Sequence, residues 1–371
     1  MRASRQLGLT LLLGIVLLLA GCRGGTAPVI VLPAPTDTLG PSPAAPLTEA
    51  TAVGRIDAKP TAAPGATSAQ VAHSLFLEPD DGARPVLDAI RSARATLDVK
   101  VYLLSDRETI AAIKDAQARG VKVRVMLEKD PYGTGPGNQA AFDELTLAGA
   151  AVKWSSPAFQ LTHEKSMVVD GRSALIMTLN LVRSAFTRNR EYGIVTRDPA
   201  EVREVLDGFN ADWTRTKLTP PAHSTLLWSP ANSRQRLLAF IDGARQSLVL
   251  EQEEMQDTEI QRHVAEAAER GVAVRALVAA PFAGSDGTDH NLRGERQLKS
   301  AGAAVRTLDQ PTLHAKMWLA DGGRAIVGSV NVSKSSLDDN RELAIEISDP
   351  AIIRRIAQTF EEDWAAGAVL R

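Results

Sequence analysis

The chain carries one long segment twice. His163-Glu-Lys165, Asp170, Asn180 and Asn189-Arg190-Glu191 recur as His314-Ala-Lys316, Asp321, Asn331 and Asn340-Arg341-Glu342, and every matched pair stands 151 positions apart. The repeat extends past these residues. Ile90-x-x-Ala93-Arg94 matches Ile241-x-x-Ala244-Arg245, and Arg119-Gly120-Val121 matches Arg270-Gly271-Val272. Ala148 to Val152 matches Ala301 to Val305 at an offset of 153, so a two-residue insertion is later reversed. A period this long is a duplicated domain, because solenoid repeats run far shorter. A shared fold alone would repeat the apolar positions. Here polar, chemically able residues repeat too, which points to one site built from two equivalent halves.

Each copy has the same succession of periodicities. A helix over Arg84 to Ala95 with apolar Val86, Leu87 and Ile90 leads into an apolar strand, Leu97 to Leu104. A second helix stops at Gly120, a C-cap residue, before the strand Val121 to Leu127. After the loop Asp130 to Asn138 come another helix and the strand Ala151 to Trp154. A hairpin follows, Leu161 to Val169 and Ser173 to Leu179, turned at Asp170-Gly171. Asp198-Pro199 supplies the cap and first-turn proline of a closing helix near Trp213. The second copy starts over from about Thr225, past the connector Leu218-Thr-Pro-Pro221. Alternating strands and helices imply an α/β fold: two tandem α/β/α sandwich lobes, 73–218 and 222–371, related by pseudo-twofold symmetry.

The first 72 residues stand apart. Arg2 and Arg5 precede an apolar run, Leu7 to Leu19, and Leu19-Ala20-Gly21-Cys22 resembles a bacterial lipobox. Cys22 is the only cysteine of 371 residues, so it makes no intrachain disulfide but suits lipidation. Residues 1–22 therefore read as a lipoprotein signal peptide. The apolar run is short for a transmembrane helix. Residues 23–72 hold eight of the 20 prolines with no helical or strand period, and read as a disordered tether. The expected location is extracytoplasmic, lipid-anchored to the bacterial membrane through Cys22.

On a strand, side chains two apart share a face, so His163 and Lys165 are expected to project together, as are His314 and Lys316. Two lysines and two asparagines, Asn180 and Asn331, make a cradle for one tetrahedral anion. Two histidines flanking it can divide the work of nucleophile and general acid.

The pattern His-x-Lys-x4-Asp followed by Gly-Ser/Thr-x-Asn resembles the duplicated signature of the phospholipase D superfamily. The second copy fits completely, with Gly328-Ser329-x-Asn331, whereas the first has Met177 before Thr178-x-Asn180. Met177 is expected to reshape that side of the pocket, since glycine allows close backbone approach. The resemblance spans Ser74 to Arg371. It implies a phosphoryl transfer in which His163 attacks phosphorus and His314 protonates the departing alcohol. It also implies that Glu191 and Glu342 orient the histidines, that Lys165, Lys316, Asn180 and Asn331 hold the phosphate, and that no cofactor or metal is needed. Asp170 and Asp321 belong to the catalytic motif of that family, but Asp-Gly is also a hairpin-turn signal, and a structural part is expected for both. His73, His223, His263 and His290 have no counterpart in the other copy and read as ordinary histidines. Glu251, Glu253 and Glu254 lack equivalents in the first copy and carry no assignment.

These features favour a phospholipase D-type phosphodiesterase that hydrolyses or exchanges phospholipid head groups, acting as a monomer on phospholipid at the membrane. A cardiolipin synthase-like phosphatidyltransferase is the alternative. An extracytoplasmic nuclease ranks lower, because a net charge of −2 and 4% aromatics offer little for phosphate neutralisation or base stacking.

Overall fold

The computed structural model describes residues 72–132, 135, 137–280 and 288–370. The expected signal peptide with Cys22, and all of the expected tether but Ala72, lie outside them. In the first lobe the elements run β1 (His73–Glu78), α1 (Arg84–Ser92), β2 (Thr96–Val101), α2 (Arg107–Ala118), β3 (Lys122–Leu127), α3 (Gln139–Leu147) and β4 (Ala151–Trp154). They continue with β5 (Lys165–Val169), β6 (Ser173–Met177), α4 (Arg183–Thr187), β7 (Asn189–Thr196) and α5 (Pro199–Thr214). The second lobe runs β8 (Leu226–Ser229), α6 (Ser233–Asp242), β9 (Ser247–Gln252), α7 (Thr258–Glu269), β10 (Ala273–Ala279), α8 (Leu292–Ser300) and β11 (Ala304–Leu308). It ends with β12 (Thr312–Leu313), β13 (Lys316–Ala320), β14 (Arg324–Gly328), β15 (Glu342–Ile347), α9 (Pro350–Ala366) and β16 (Ala368–Val369).

Each lobe is a mixed sheet. The first has the order β1-β7-β6-β5-β2-β3-β4, and the second β16-β11-β10-β9-β13-β14-β15-β8. β2, β3 and β4 are parallel because helices connect them; β5 and β6 are antiparallel across a short turn, and β6 and β7 are antiparallel across a longer connection that holds α4. One face of the first sheet buries Val99, Val125, Leu175 and Met177 against Ile90, Ile113 and Leu145 of α1, α2 and α3. The other face meets the second lobe. Ile176 and Ile194 share a core with Trp228, Met317, Val327 and Ile345, closed by Val205 of α5 and Phe360 of α9. The lobes are thus joined through a continuous apolar layer.

The sequence marks several of these boundaries. Asp198 caps α5 by accepting from the backbone N–H of Ala200 and Glu201, and Asp349 caps α9 in the same way. Asp170 and Gly171 both take positive φ, 54° and 63°, in the turn 170–172 that joins β5 to β6. β5 is the main departure. It starts at Lys165, so His163 precedes the strand and leaves the ladder. The segment ahead of it pairs instead with the other lobe.

Met177 does not shape the site. It is fully buried in the outer core of lobe one, opposite Gly193 of β7. In lobe two Gly328 faces Ala344, whose Cβ would lie 2.5 Å from a Cβ built on Gly328, whereas in lobe one the space over Gly193 is taken by the Phe76 ring.

Candidate active site

Two short straps cross between the lobes and position the site. Thr162 bridges to Arg341, and β12 runs parallel to the start of β7, with Leu313 beside Arg190. Backbone N–H groups of His163 and Glu164 donate to the carbonyl of Arg341, at 2.9 and 3.0 Å, and His314 N–H donates to the carbonyl of Arg190 at 3.3 Å. Each histidine is therefore set against the residue that follows the opposite arginine. His163 Nδ1 lies 3.1 Å from both carboxylate oxygens of Glu342, and His314 Nδ1 lies 2.8 Å from Glu191 Oε1. The second contact is close enough for an ion pair but off the line of a straight hydrogen bond. The glutamate beside each histidine comes from the other lobe.

Buried ion pairs hold the straps. Arg190 makes a two-pronged bond to Asp363 of α9, at 2.6 and 3.0 Å. Arg341 reaches Asp212 of α5 at 2.9 Å, and Asp212 also takes the ammonium of Lys100 at 2.7 Å. The glutamates are themselves anchored, Glu342 by the Ser336 hydroxyl at 2.7 Å and Glu191 by the Thr178 hydroxyl at 2.6 Å.

The lysines sit at the first positions of β5 and β13. Both are buried, and each donates to the carbonyl of its own histidine, Lys165 to His163 at 2.5 Å and Lys316 to His314 at 2.6 Å. Asn180 and Asn331 follow the return strands. The side-chain oxygen of each is buried without a hydrogen-bond partner among the described residues. A polar atom so placed is costly unless a ligand or water meets it. Asp170 and Asp321 are not part of this cluster. Each lies at the far end of its strand, roughly 16 Å of extended chain from the lysine at its start. Asp170 accepts from the backbone N–H of Arg94, Ala95 and Thr96, and Asp321 does the same for Arg245, Gln246 and Ser247. They fasten a loop to a hairpin, through three backbone N–H groups each.

One residue in the cluster had no assignment from sequence. Glu253, just past β9, places Oε2 2.7 Å from Lys316 Nζ and 3.5 Å from His314 Nε2, with the Asn331 amide also 3.5 Å away. Its counterpart in lobe one is Tyr102, just past β2, whose ring stands edge-on to His163 with centroids 4.7 Å apart. A repeat search passes over Glu253 because nothing there repeats.

The halves share one electrostatic field. Burial pushes the His163 imidazole below its usual value, with Lys165 and Lys316 adding to that and Glu342 opposing it. Burial works to raise the Glu342 carboxyl, but the charges of His163 and Lys165 hold it below the usual range. With Glu342 ionised, the ring proton belongs on Nδ1 of His163, and the Nε2 lone pair is free. Burial also brings Lys165 down to about 7, helped by Lys316 and opposed by Glu342, Glu253 and Glu191. Among the described residues no group of three or more His, Cys, Asp or Glu side chains could hold a metal ion.

The family described as "Cardiolipin synthase, PLD-like domain" matches residues 86–213 and again 237–364, together more than half of the chain. The chain belongs to the phospholipase D superfamily. Human mitochondrial cardiolipin hydrolase is 33% identical over 163 residues, covering 42% of this chain and 63% of that protein. The zebrafish (Danio rerio) protein of the same name is 33% identical over 128 residues, covering 34% of this chain and 55% of that one. The chain thus spans about three fifths of the length of these superfamily relatives. Among solved structures, phosphatidylserine synthase of Haemophilus influenzae aligns over 81% of this chain and 87% of its own, with a TM-score of 0.62 at 13% identity. That likeness is one of fold.

Two expectations follow from the geometry. Glu342→Gln presents an amide where Nδ1 of His163 needs an anion, and kcat is expected to fall about 10²–10⁴-fold with little change in KM. Steady-state kinetics on a soluble phosphodiester measure this, and a kcat within threefold of the parent would remove Glu342 from any orienting part. Second, Lys165 is charged below about 7 and neutral above. Phosphate capture should weaken as pH rises, so kcat/KM is expected to decline through an apparent value near 7. Lys165→Arg keeps its charge and should abolish that limb; an unchanged limb in the arginine variant would assign it to another group.

Proposed function

We propose that this chain is a phospholipase D-type phosphodiesterase that cleaves or exchanges the head group of a glycerophospholipid through a phosphohistidine. The crossed pairs His163–Glu342 and His314–Glu191 carry this reading. They give two oriented imidazoles at one point, beside two buried ammonium groups and two unsatisfied carboxamides. His163 Nε2 attacks phosphorus, the ester P–O bond breaks, and His314 gives its proton to the departing alcohol oxygen. Water or a second alcohol then gives a proton to His314 and its oxygen displaces the phosphohistidine nitrogen. Lys165, Lys316, Asn180 and Asn331 stabilise the equatorial oxygens during both steps.

The names of the relatives favour a phospholipid, and cardiolipin specifically, as substrate. Lipidation of Cys22 would tether the monomeric enzyme beside such a substrate, outside the cytoplasm. The phosphatidyltransferase reading uses the same intermediate and differs only in the acceptor. One assay separates the readings. Purified protein is incubated with cardiolipin and mixed phospholipids plus ethanol, and separately with single-stranded DNA, both in chelator. Phosphatidylethanol is the expected product, and DNA cleavage without any lipid product would overturn the assignment.

A further inference from the structure

The two sides of the site differ in how much room they leave. Beside His163 the space is filled. The Tyr102 ring packs against the imidazole while its hydroxyl accepts from the Tyr132 N–H, and Lys165 lies over the ring at 5.0 Å. Glu128, at the end of β3, fills the neighbouring volume and accepts from the Thr162 N–H at 2.6 Å and the Ser155 hydroxyl at 2.8 Å. Beside His314 the counterpart of Glu128 is Ala279, followed by Ala280. The result is a cavity of about 630 Å³ reaching His314 and walled by Glu253, Ala279, Leu308, Thr312 and Leu313.

We propose that this cavity receives the alcohol that leaves or enters, and that Glu253 selects alcohols carrying a second hydrogen-bond donor close to the phosphate ester. The inference rests on the phosphodiesterase reading and names the substrate class of that site. The Nε2 of His314 hands its proton to the ester oxygen, so that oxygen must lie next to it. Glu253 Oε2 is 3.5 Å from the same Nε2. An ammonium or hydroxyl on the second carbon from the ester oxygen therefore meets a mostly buried carboxylate, and can take over part of the bond now made by Lys316. The carboxylate stays ionised, since His314 and Lys316 outweigh the burial that would raise it. An alcohol lacking the donor gives Glu253 no partner beyond Lys316 and Asn331, so an alcohol that carries it is favoured. The chemistry balances as above: the proton given by His314 ends on the ester oxygen, and Glu253 neither gains nor loses one.

The test compares the parent chain with Glu253→Gln, of the same shape, and Glu253→Tyr, the lobe-one residue. Substrates are short-chain phosphatidylethanolamine and phosphatidylglycerol, whose head groups carry an ammonium and hydroxyls, and short-chain phosphatidylethanol, whose leaving alcohol needs the same proton but has no second donor. The readout is kcat/KM for each of the first two divided by kcat/KM for phosphatidylethanol. That ratio is expected to fall about tenfold or more for phosphatidylethanolamine in Glu253→Gln, and for both in Glu253→Tyr. A smaller change in both variants overturns the inference, whether all activities drop together, as a merely structural part would have it, or none moves. A parent chain that cleaves none of the three substrates overturns the phosphodiesterase reading itself, and this inference with it.

Discussion

Replacing His163 by alanine is expected to lower kcat/KM on any phosphodiester about 10⁴-fold or more, with no release of leaving group above background. His314→Ala should lose as much on a phospholipid, whose alkoxide needs a proton to depart. With bis(4-nitrophenyl) phosphate the two variants should part, because nitrophenolate leaves unprotonated. His314→Ala is then expected to release a burst of about one equivalent and stall as a phosphoenzyme, while His163→Ala shows no burst. Stopped-flow absorbance and acid-labile phosphate on the protein read both outcomes. A burst in His163→Ala and none in His314→Ala would exchange the two parts. Appreciable turnover of phospholipid by either variant would sink the shared site.

The second large effect concerns folding. Asp212 is 3% exposed and pairs with two cations, Lys100 and Arg341, which are themselves buried. Asp212→Ala leaves the buried Arg341 guanidinium without its carboxylate and takes one of two from Lys100, which keeps Glu164 at 2.8 Å, and breaking a buried pair this way costs about 3–5 kcal/mol. For a structure of this size, the melting temperature should fall by roughly 6–10 °C. Asp207 on the same helix is a control. It pairs with Arg203 four residues earlier, at 53% and 74% side-chain exposure, where an ion pair contributes about 0.5 kcal/mol or less. Calorimetry on both variants decides the matter. Equal melting temperatures would show that Arg341 finds another partner without Asp212.

Much of this architecture could be read from the chain. Helix and strand order, the Asp170-Gly171 hairpin and the Asp198-Pro199 cap are local, and local chemistry is what single residues report. The gathering of His163, Lys165, His314, Lys316, Glu191 and Glu342 followed from the repeat. The crossing of the glutamates did not. Glu191 stands in the same relation to both histidines as Glu342 does, so an exact repeat reads the same whether the pairs form within lobes or between them. The strap geometry breaks that tie. Met177 misled for a different reason: its side chain joins the core behind the sheet, and the motif does not record which face a position packs against. Glu253 was invisible because its counterpart is a tyrosine. Symmetry finds what two halves have in common and is blind to what distinguishes them.

The crossed straps also bear on how such a chain can change. Duplication usually supplies a spare copy, free to drift while the other keeps working. No spare exists here, since each histidine leans on a carboxylate encoded in the opposite copy and each strap arginine on an aspartate across the same boundary. A substitution in one half is felt first by the other. The copies can diverge only in matched steps, or at places such as Tyr102 and Glu253 where each side of the pocket answers to its own lobe.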